Sequence, residues 1–143
     1  MLGSFLRLAQ NEGLVSLERI PDEDDEGFRS RLRSQKYVYL AKYFGLDLKY
    51  EYNKYHYGPY SPDLTEECFE IAKEPEKIEE KQLPAEFDSK KFFKFVGSKS
   101  DIWLEIATTL LSLAPLFPDE EELVDHVEYI KYGNPKELSL IHI

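Results

Sequence analysis

Three histidines, one cysteine and a cluster of carboxylates are the side chains in this 143-residue sequence that could catalyse a reaction or bind a metal. His56, His126 and His142 have no metal-ligand spacing to one another or to Cys68, and a single cysteine cannot form an internal disulfide. His126 shares a predicted helix with three acidic residues: Glu122, Asp125 and Glu128. Histidine beside carboxylates could transfer protons, but on an acidic helix this pattern is typical of a solvated face.

Ser61 is the one remaining candidate nucleophile that the sequence singles out. A serine needs a paired base to be activated, and nothing in the sequence marks one. Because Pro62 follows, Ser61 is better interpreted as the N-cap of a helix. The sequence has no glycine-rich phosphate loop, nucleophile elbow or His-Glu-x-x-His pattern. We therefore expect a protein that is not an enzyme and that uses no metal or cofactor.

The most distinctive local feature is a basic, tyrosine-rich segment, residues 29–60. Eight of the ten tyrosines lie between Tyr37 and Tyr60, and the segment has a net charge of +5 in a chain whose net charge is −10. Tyrosine and arginine are frequent anchors of protein interfaces. The segment therefore predicts a surface that binds a partner protein, and its candidate residues are Arg33, Lys36, Tyr39, Lys54, Tyr57 and Tyr60, with Arg29 and Lys49 also facing outward.

The hydrophobic pattern predicts an α+β chain that is mostly helical. Helices are expected from Leu2 to about Asn11, over 28–44, from Ser61 to Lys73, after an N-cap at Ser98 or Ser100, over 120–132 and over a short stretch beyond Asn134. Alternation over 48–52 predicts one strand, and residues 78–83 and 91–96 predict a two-stranded hairpin. The order helix, helix, strand, helix, hairpin is that of a winged helix over residues 1–97, followed by two or three C-terminal helices over 98–140.

The third predicted helix decides how such a winged helix would be used. In helix-turn-helix proteins this helix carries basic or amide side chains to the bases. Here it has four acids and one base: Asp63, Glu66, Glu67, Glu70 and Lys73. A net charge of −3 repels phosphate, so a nucleic-acid-binding regulator that uses residues 29–60 is the alternative rather than the first hypothesis.

Two short blocks carry a resemblance to a known family: Gln35-Lys36-Tyr37-Val38-Tyr39-Leu40 and Tyr57-Gly58-Pro59-Tyr60-Ser61-Pro62. They resemble the YwgA-like phage-associated proteins and, more distantly, the SocA-like (Panacea) antitoxin domain. The resemblance covers about residues 30–72. It implies a compact helical domain with a small sheet and, for the antitoxin branch, either neutralisation of a toxin-like protein partner by direct binding or an adaptor role that presents a toxin to a protease. Arg33-Ser34 and Tyr60 depart from the pattern of the antitoxin branch.

The same blocks also have a purely structural interpretation. Gly58 permits a positive φ or a close approach, and Pro59 fixes a turn. If that turn packs on the second helix, the Gln35 amide could bond the turn's backbone, with Ser61 capping the next helix. Gln35, Gly58, Pro59 and Ser61 would then define a corner of the fold, and only the outward side chains would remain for binding.

The bulk properties give the remaining expectations. A length of 143 residues and a hydrophobic fraction of 42% predict a single domain, 1–143. No apolar run approaches the ~18 residues that span a bilayer, and the N-terminal residues lack a signal-peptide pattern. We therefore expect a cytoplasmic, acidic protein with no membrane partner, and the sequence leaves its oligomeric state open.

Overall fold

The computed structural model describes residues 1–55 and 58–131, with backbone alone at 54, 55, 130 and 131. The described chain is mostly helical, as expected. Six α-helices and two short strands follow in order: α1 (Leu2–Asn11), α2 (Asp25–Ala41), β1 (Asn53–Tyr55), β2 (Gly58–Tyr60), α3 (Pro62–Lys73), α4 (Ser89–Gly97), α5 (Asp101–Leu113) and α6 (Glu120–Lys131). Short 3-10 turns lie at Leu17–Arg19, Lys42–Phe44, Pro75–Lys77 and Ala114–Leu116.

Side-chain caps explain where four of the helices begin. Asp24, Ser61, Asp88 and Ser100 each accept a hydrogen bond from the backbone N–H three residues later, at 3.0 to 3.2 Å. Such a bond satisfies a donor that the first helical turn would otherwise leave open. The N-cap predicted at Ser61 is therefore confirmed, and of the two candidates Ser98 and Ser100 the structure uses Ser100.

The core is built around α5, which packs against α2, α6 and β2. Leu104 joins the larger cluster of buried side chains, which contains Phe5 of α1 and Phe92 and Phe93 of α4. The opposite face of α5 joins a smaller cluster with α6 through Ile106, Leu110, Leu113, Leu123 and Val127. The wide apolar face of α5 predicts such a central position, and the apolar stripe of α3 predicts a buried Cys68; both predictions are confirmed.

The predicted wing is wrong. Residues 91–96 belong to α4, and 78–83 form no strand in the described chain. Aromatic residues favour strands, but Asp88 caps a helix here, and both Phe92 and Phe93 pack their rings within 6 Å of the Phe5 ring. The 78–83 segment is instead fastened to α1, where Ser4 Oγ donates to the Glu79 carbonyl at 3.2 Å and accepts from Lys81 N at 2.7 Å.

The predicted strand over 48–52 is displaced along the chain. Lys49 has φ +64°, which no strand accommodates, and β1 begins only at Asn53. Leu48, Tyr50 and Tyr52 still pack on the core together, as their alternation predicted. β1 pairs antiparallel with β2, so Gly58 and Pro59 lie in the returning strand rather than forming a turn by themselves.

Two further expectations concern the ends of helices. An acidic run such as residues 21–27 predicts a solvated linker, but this one ends in the first turn of α2, which begins at Asp25 rather than Phe28. Arg19 pairs with Asp22 and Asp24, so part of this acidic charge is neutralised locally. The predicted last helix, beyond Asn134, lies outside the described residues. Within residues 1–55 and 58–131, no helix has the length and apolar character needed to cross a bilayer.

Candidate functional site

The two sequence blocks meet at a corner where β2 passes into α3 against α2. Gln35 Nε2 donates to the Ser61 carbonyl at 2.8 Å, and Gln35 Oε1 accepts from Ser61 N at 3.0 Å. Both side chains are buried, so these bonds satisfy backbone groups that water cannot reach. The prediction that the Gln35 amide bonds a nearby loop is confirmed.

Gly58 brings β2 unusually close to α2 and α5. Its φ is +98°, and a Cβ placed on it would lie 2.7 Å from Lys36 Nζ, 2.9 Å from Thr109 Oγ1 and 3.1 Å from Thr108 Oγ1. Both threonine hydroxyls donate to backbone carbonyls of α5, so their oxygen lone pairs can still accept a hydrogen bond. The Lys36 ammonium and the two threonine hydroxyls therefore converge on Gly58, and a side chain on residue 58 would crowd them.

An apolar groove opens beside this corner, between α2 and α3. Its volume is about 530 Å³, and Gly58 and Pro59 line it together with residues of both helices: Phe28, Arg31, Leu32, Gln35, Lys36, Tyr60, Thr65 and Phe69. Phe28 is 51% exposed and Tyr60 is 36% exposed. Large exposed aromatic side chains beside a concave apolar surface are typical of a binding site.

Hydrogen bonds fix the walls of the groove. Gln35 Nε2 also donates to Thr65 Oγ1 at 2.7 Å, and that hydroxyl donates to the Tyr60 Oη at 2.9 Å. On the other wall, Arg31 Nη1 donates to the carbonyls of Ile20 and Asp22 at 2.6 Å, and its guanidinium lies 6.0 Å from the centre of the Phe69 ring. The chain of bonds from Gln35 to Tyr60 connects the corner directly to the groove mouth.

The basic segment is largely engaged within the fold. Arg29 and Arg33 both bond the Asp101 carboxylate at 2.8 Å, and Arg33 also donates to the Leu14 carbonyl. Burial opposes ionisation of Asp101, but the hydrogen bonds from Arg33 and Arg29 outweigh it and hold the pKa of this carboxyl below its usual value. These arginines therefore tie α2 to the start of α5.

The predicted partner-binding residues separate into three groups. Lys36 and Tyr39 are 3% exposed and so are not the surface anchors that their selection as partner-binding residues predicted, and Arg33 is half-buried in its contact with Asp101. The side chain of Lys54 and all of Tyr57 lie outside the described residues. Tyr60 is exposed and lines the groove.

Sequence reasoning missed much of the groove. Phe28 and Leu32 share a helical stripe with Gln35 and Tyr39, and that stripe predicts a buried face. In the structure only its second half is buried, because the first half faces the groove. Phe69, on α3, gave no separate signal, since its position opposite α2 depends on how the two helices pack.

The exposed face of α3 is acidic. Asp63, Glu66, Glu67 and Glu70 are exposed, and Tyr50 Oη donates to the Glu67 carboxylate. Burial, followed by the nearby charge of Glu67, raises the pKa of the Cys68 thiol to about 12, so it stays protonated at neutral pH. In the part of the chain that the structure describes, no three side chains form a metal-binding group.

Comparisons of this chain with protein-family models, with curated proteins and with solved structures find no match. The resemblance of the two blocks to the YwgA-like proteins therefore stays a prediction.

Proposed function

We propose that this chain is a non-enzymatic protein-interaction module that receives a segment of a partner protein in the groove between α2 and α3. The observation that carries the proposal is the exposure of Phe28 and Tyr60 at the mouth of an apolar groove of about 530 Å³. Fully buried aromatic anchors at the centre of an interface supply much of the binding energy of protein complexes. A partner that covers these two rings would remove apolar surface from water.

The construction of the groove supports a preformed binding site. The amide of Gln35 holds Ser61 and, through Thr65, orients Tyr60. Side chains held in this way lose little conformational entropy when a partner binds. The predicted corner and the predicted interface are therefore compatible, since the corner fixes the groove wall on which the partner would lie.

The chemistry of the lining favours a partner segment with apolar side chains. Phe28, Leu32, Pro59 and Phe69 supply apolar contact, while the exposed acids of α3 disfavour an acidic approach along that helix. An antitoxin or phage-defence role in the cytoplasm, with a toxin-like partner, is the specific form that the family resemblance implies.

The alternative is a nucleic-acid-binding regulator that uses the basic residues 29–60. Against it, the Arg29 and Arg33 guanidinium groups already bond Asp101, and the Lys36 ammonium is buried. It predicts binding to DNA or RNA that weakens steeply with salt, because cations released from phosphate drive such binding. Retention on nucleic acid at low salt that is lost at high salt would favour it over the groove.

The test is site-directed photo-crosslinking in cells that also express the product of the neighbouring gene. A photoreactive phenylalanine analogue at position 28 should crosslink that product, whereas the same analogue at position 102 should not. Ile102 is a matched control because it is 63% exposed but lies on α5, outside the groove lining. Equal crosslinking from both positions would contradict a specific site.

Affinity measurements with the purified partner then separate binding from folding. Phe28→Ala combined with Tyr60→Phe removes one anchor ring and the hydroxyl of the other. It should weaken binding by about tenfold or more, with an unchanged thermal midpoint. Ile102→Ala should leave both unchanged. Full affinity in the Phe28→Ala, Tyr60→Phe variant would overturn the proposal.

A further inference from the structure

Three tyrosine rings surround the ammonium group of Lys42 where α2 ends. Lys42 Nζ lies 4.0 Å from the centre of the Tyr39 ring, 5.3 Å from that of Tyr43 and 5.5 Å from that of Tyr52. A cation within about 6 Å of an aromatic face is attracted by the negative potential of that face. Lys42 therefore satisfies this distance for three rings at once.

The three rings have the relative orientations of walls around a cation. Tyr52 meets Tyr39 edge-on, with an interplanar angle of 84° and 4.9 Å between ring centres. Tyr43 is tilted by 58° from Tyr39 at 5.8 Å, and the hydroxyls of this pair lie 3.3 Å apart. The three tyrosines are therefore in contact with one another as well as with Lys42.

The cage stays uncharged and accessible. Burial raises the pKa of the Tyr39 and Tyr52 hydroxyls above the ordinary value, so both rings are neutral at physiological pH. Tyr43 is 50% exposed, so one wall faces solvent. Within residues 1–55 and 58–131, Lys42 forms no ion pair, and its ammonium lies against the tyrosine rings.

We infer that Tyr39, Tyr43 and Tyr52 form an aromatic cage for a methylated ammonium group, which Lys42 occupies in the free protein. A primary ammonium is strongly hydrated and needs acceptors for its N–H donors. A quaternary ammonium has no N–H donor and contacts aromatic faces through its methyl groups, which makes it the cation that such cages recognise best.

Lys42 then acts as an internal competitor. It has a flexible four-carbon chain and is only partly buried, so it can leave the cage for solvent when a better cation enters. Only molecules whose cage is open can bind the ligand, so the apparent affinity falls in proportion to the fraction of molecules with an open cage. This site does not depend on the groove, because Phe28 and Phe69 take no part in it and the three tyrosines do not line the groove.

The experiment is a titration with tetramethylammonium chloride, followed by the NMR signals of the tyrosine rings. The wild-type protein should show saturable shifts confined to Tyr39, Tyr43 and Tyr52. Lys42→Ala should bind about threefold to tenfold more tightly, because the competing cation is gone. Lys42→Arg should bind as weakly as the wild type, since a guanidinium also stacks on aromatic rings.

Two matched variants separate the cage from general effects. Lys99→Ala removes another lysine that lies 4.9 Å from two ring centres, those of Phe95 and Trp103, and should leave the tyrosine response unchanged. Tyr43→Ala in the Lys42→Ala background removes an exposed wall and should weaken binding at least fivefold, within the range of a lost cation–π contact.

The outcomes that would overturn the inference are specific. They are the absence of saturable shifts in Lys42→Ala, equal shifts with potassium chloride, or unchanged affinity after Tyr43→Ala. Parallel titrations with choline and with Nε-trimethyllysine distinguish two sources of the natural ligand. Tighter binding of choline indicates a small molecule, and tighter binding of Nε-trimethyllysine indicates a modified protein side chain.

Discussion

Gln35 and Ser61 are joined by a reciprocal pair of hydrogen bonds across 26 residues of chain. The same Gln35 amide also donates to Thr65, and both Gln35 and Ser61 are almost fully buried. Three elements, α2, β2 and α3, are therefore fixed to one another by a single side chain. The groove beside them depends on that arrangement.

Removing the Gln35 amide should be costly for folding. Gln35→Ala leaves the N–H and C=O of Ser61 buried without these partners, and an unsatisfied buried group costs about 1–3 kcal/mol. We expect a loss of about 2–4 kcal/mol in the free energy of unfolding, measured by urea denaturation. Gln82→Ala, at an exposed position, is the control and should change stability little. Similar values for the two variants would contradict the structural role of the corner.

Gly58→Ala should test the close approach of β2 to Lys36. The substitution places a Cβ at a positive φ and 2.7 Å from Lys36 Nζ, so strain and crowding add. Gly13 provides a matched control, since its φ is also positive, +74°, but a Cβ there meets nothing within 4 Å. Gly13→Ala should cost about 1–2 kcal/mol from backbone strain alone, and Gly58→Ala should cost clearly more in the same thermal or urea assay. Equal costs would show that the crowding is relieved without penalty.

The ionised carboxylate of Asp101 should make the free energy of unfolding fall at acidic pH. Its folded pKa is lower than the unfolded value of about 3.9. Its contribution is therefore fully present above about pH 4 and is lost as the pH falls through the lower folded pKa. Asp101→Asn should lower the free energy of unfolding at pH 7 by about 1 kcal/mol, and this difference should shrink as the pH is lowered below 4. Urea titrations of both proteins between pH 7 and pH 2 would measure it, with exposed Asp125→Asn as the control. A difference that does not change with pH would contradict the ionic role of Asp101.

Glu128 should limit the stability of the α5–α6 pair. Its side chain is 1% exposed, and neither carboxylate oxygen has a hydrogen-bond partner among the residues that the structure describes. Burying such a group without a partner is unfavourable. Glu128→Leu should therefore stabilise the protein by about 1–3 kcal/mol, seen as a higher thermal midpoint. Glu122→Leu, at an exposed position of the same helix, should have little effect. Destabilisation by Glu128→Leu would show that the carboxylate makes a contact needed for folding.

Local sequence patterns predicted most of the helices. Ser61 and Ser100 were recognisable as N-caps because a cap needs only its own side chain and the next three residues. The predicted wing is wrong because local preference does not decide this segment. The aromatic run over 91–96 favours a strand locally, yet Phe92 and Phe93 are stabilised more by packing on Phe5 from one face of a helix. Lys49 shows another limit, since its positive φ interrupts a stretch whose alternation predicts a strand.

For the candidate sites, the sequence by itself determined that residues 29–60 are basic and rich in tyrosine, and it indicated the corner formed by Gln35, Gly58 and Ser61. Only the tertiary structure decided which of those side chains remain available. Packing of α2 against α5 buries Lys36 and pairs Arg33 with Asp101, whereas packing of α2 against α3 leaves Phe28 and Tyr60 beside a groove. Residue type fixes what a side chain can bind, but exposure and partners depend on contacts between residues far apart in the chain.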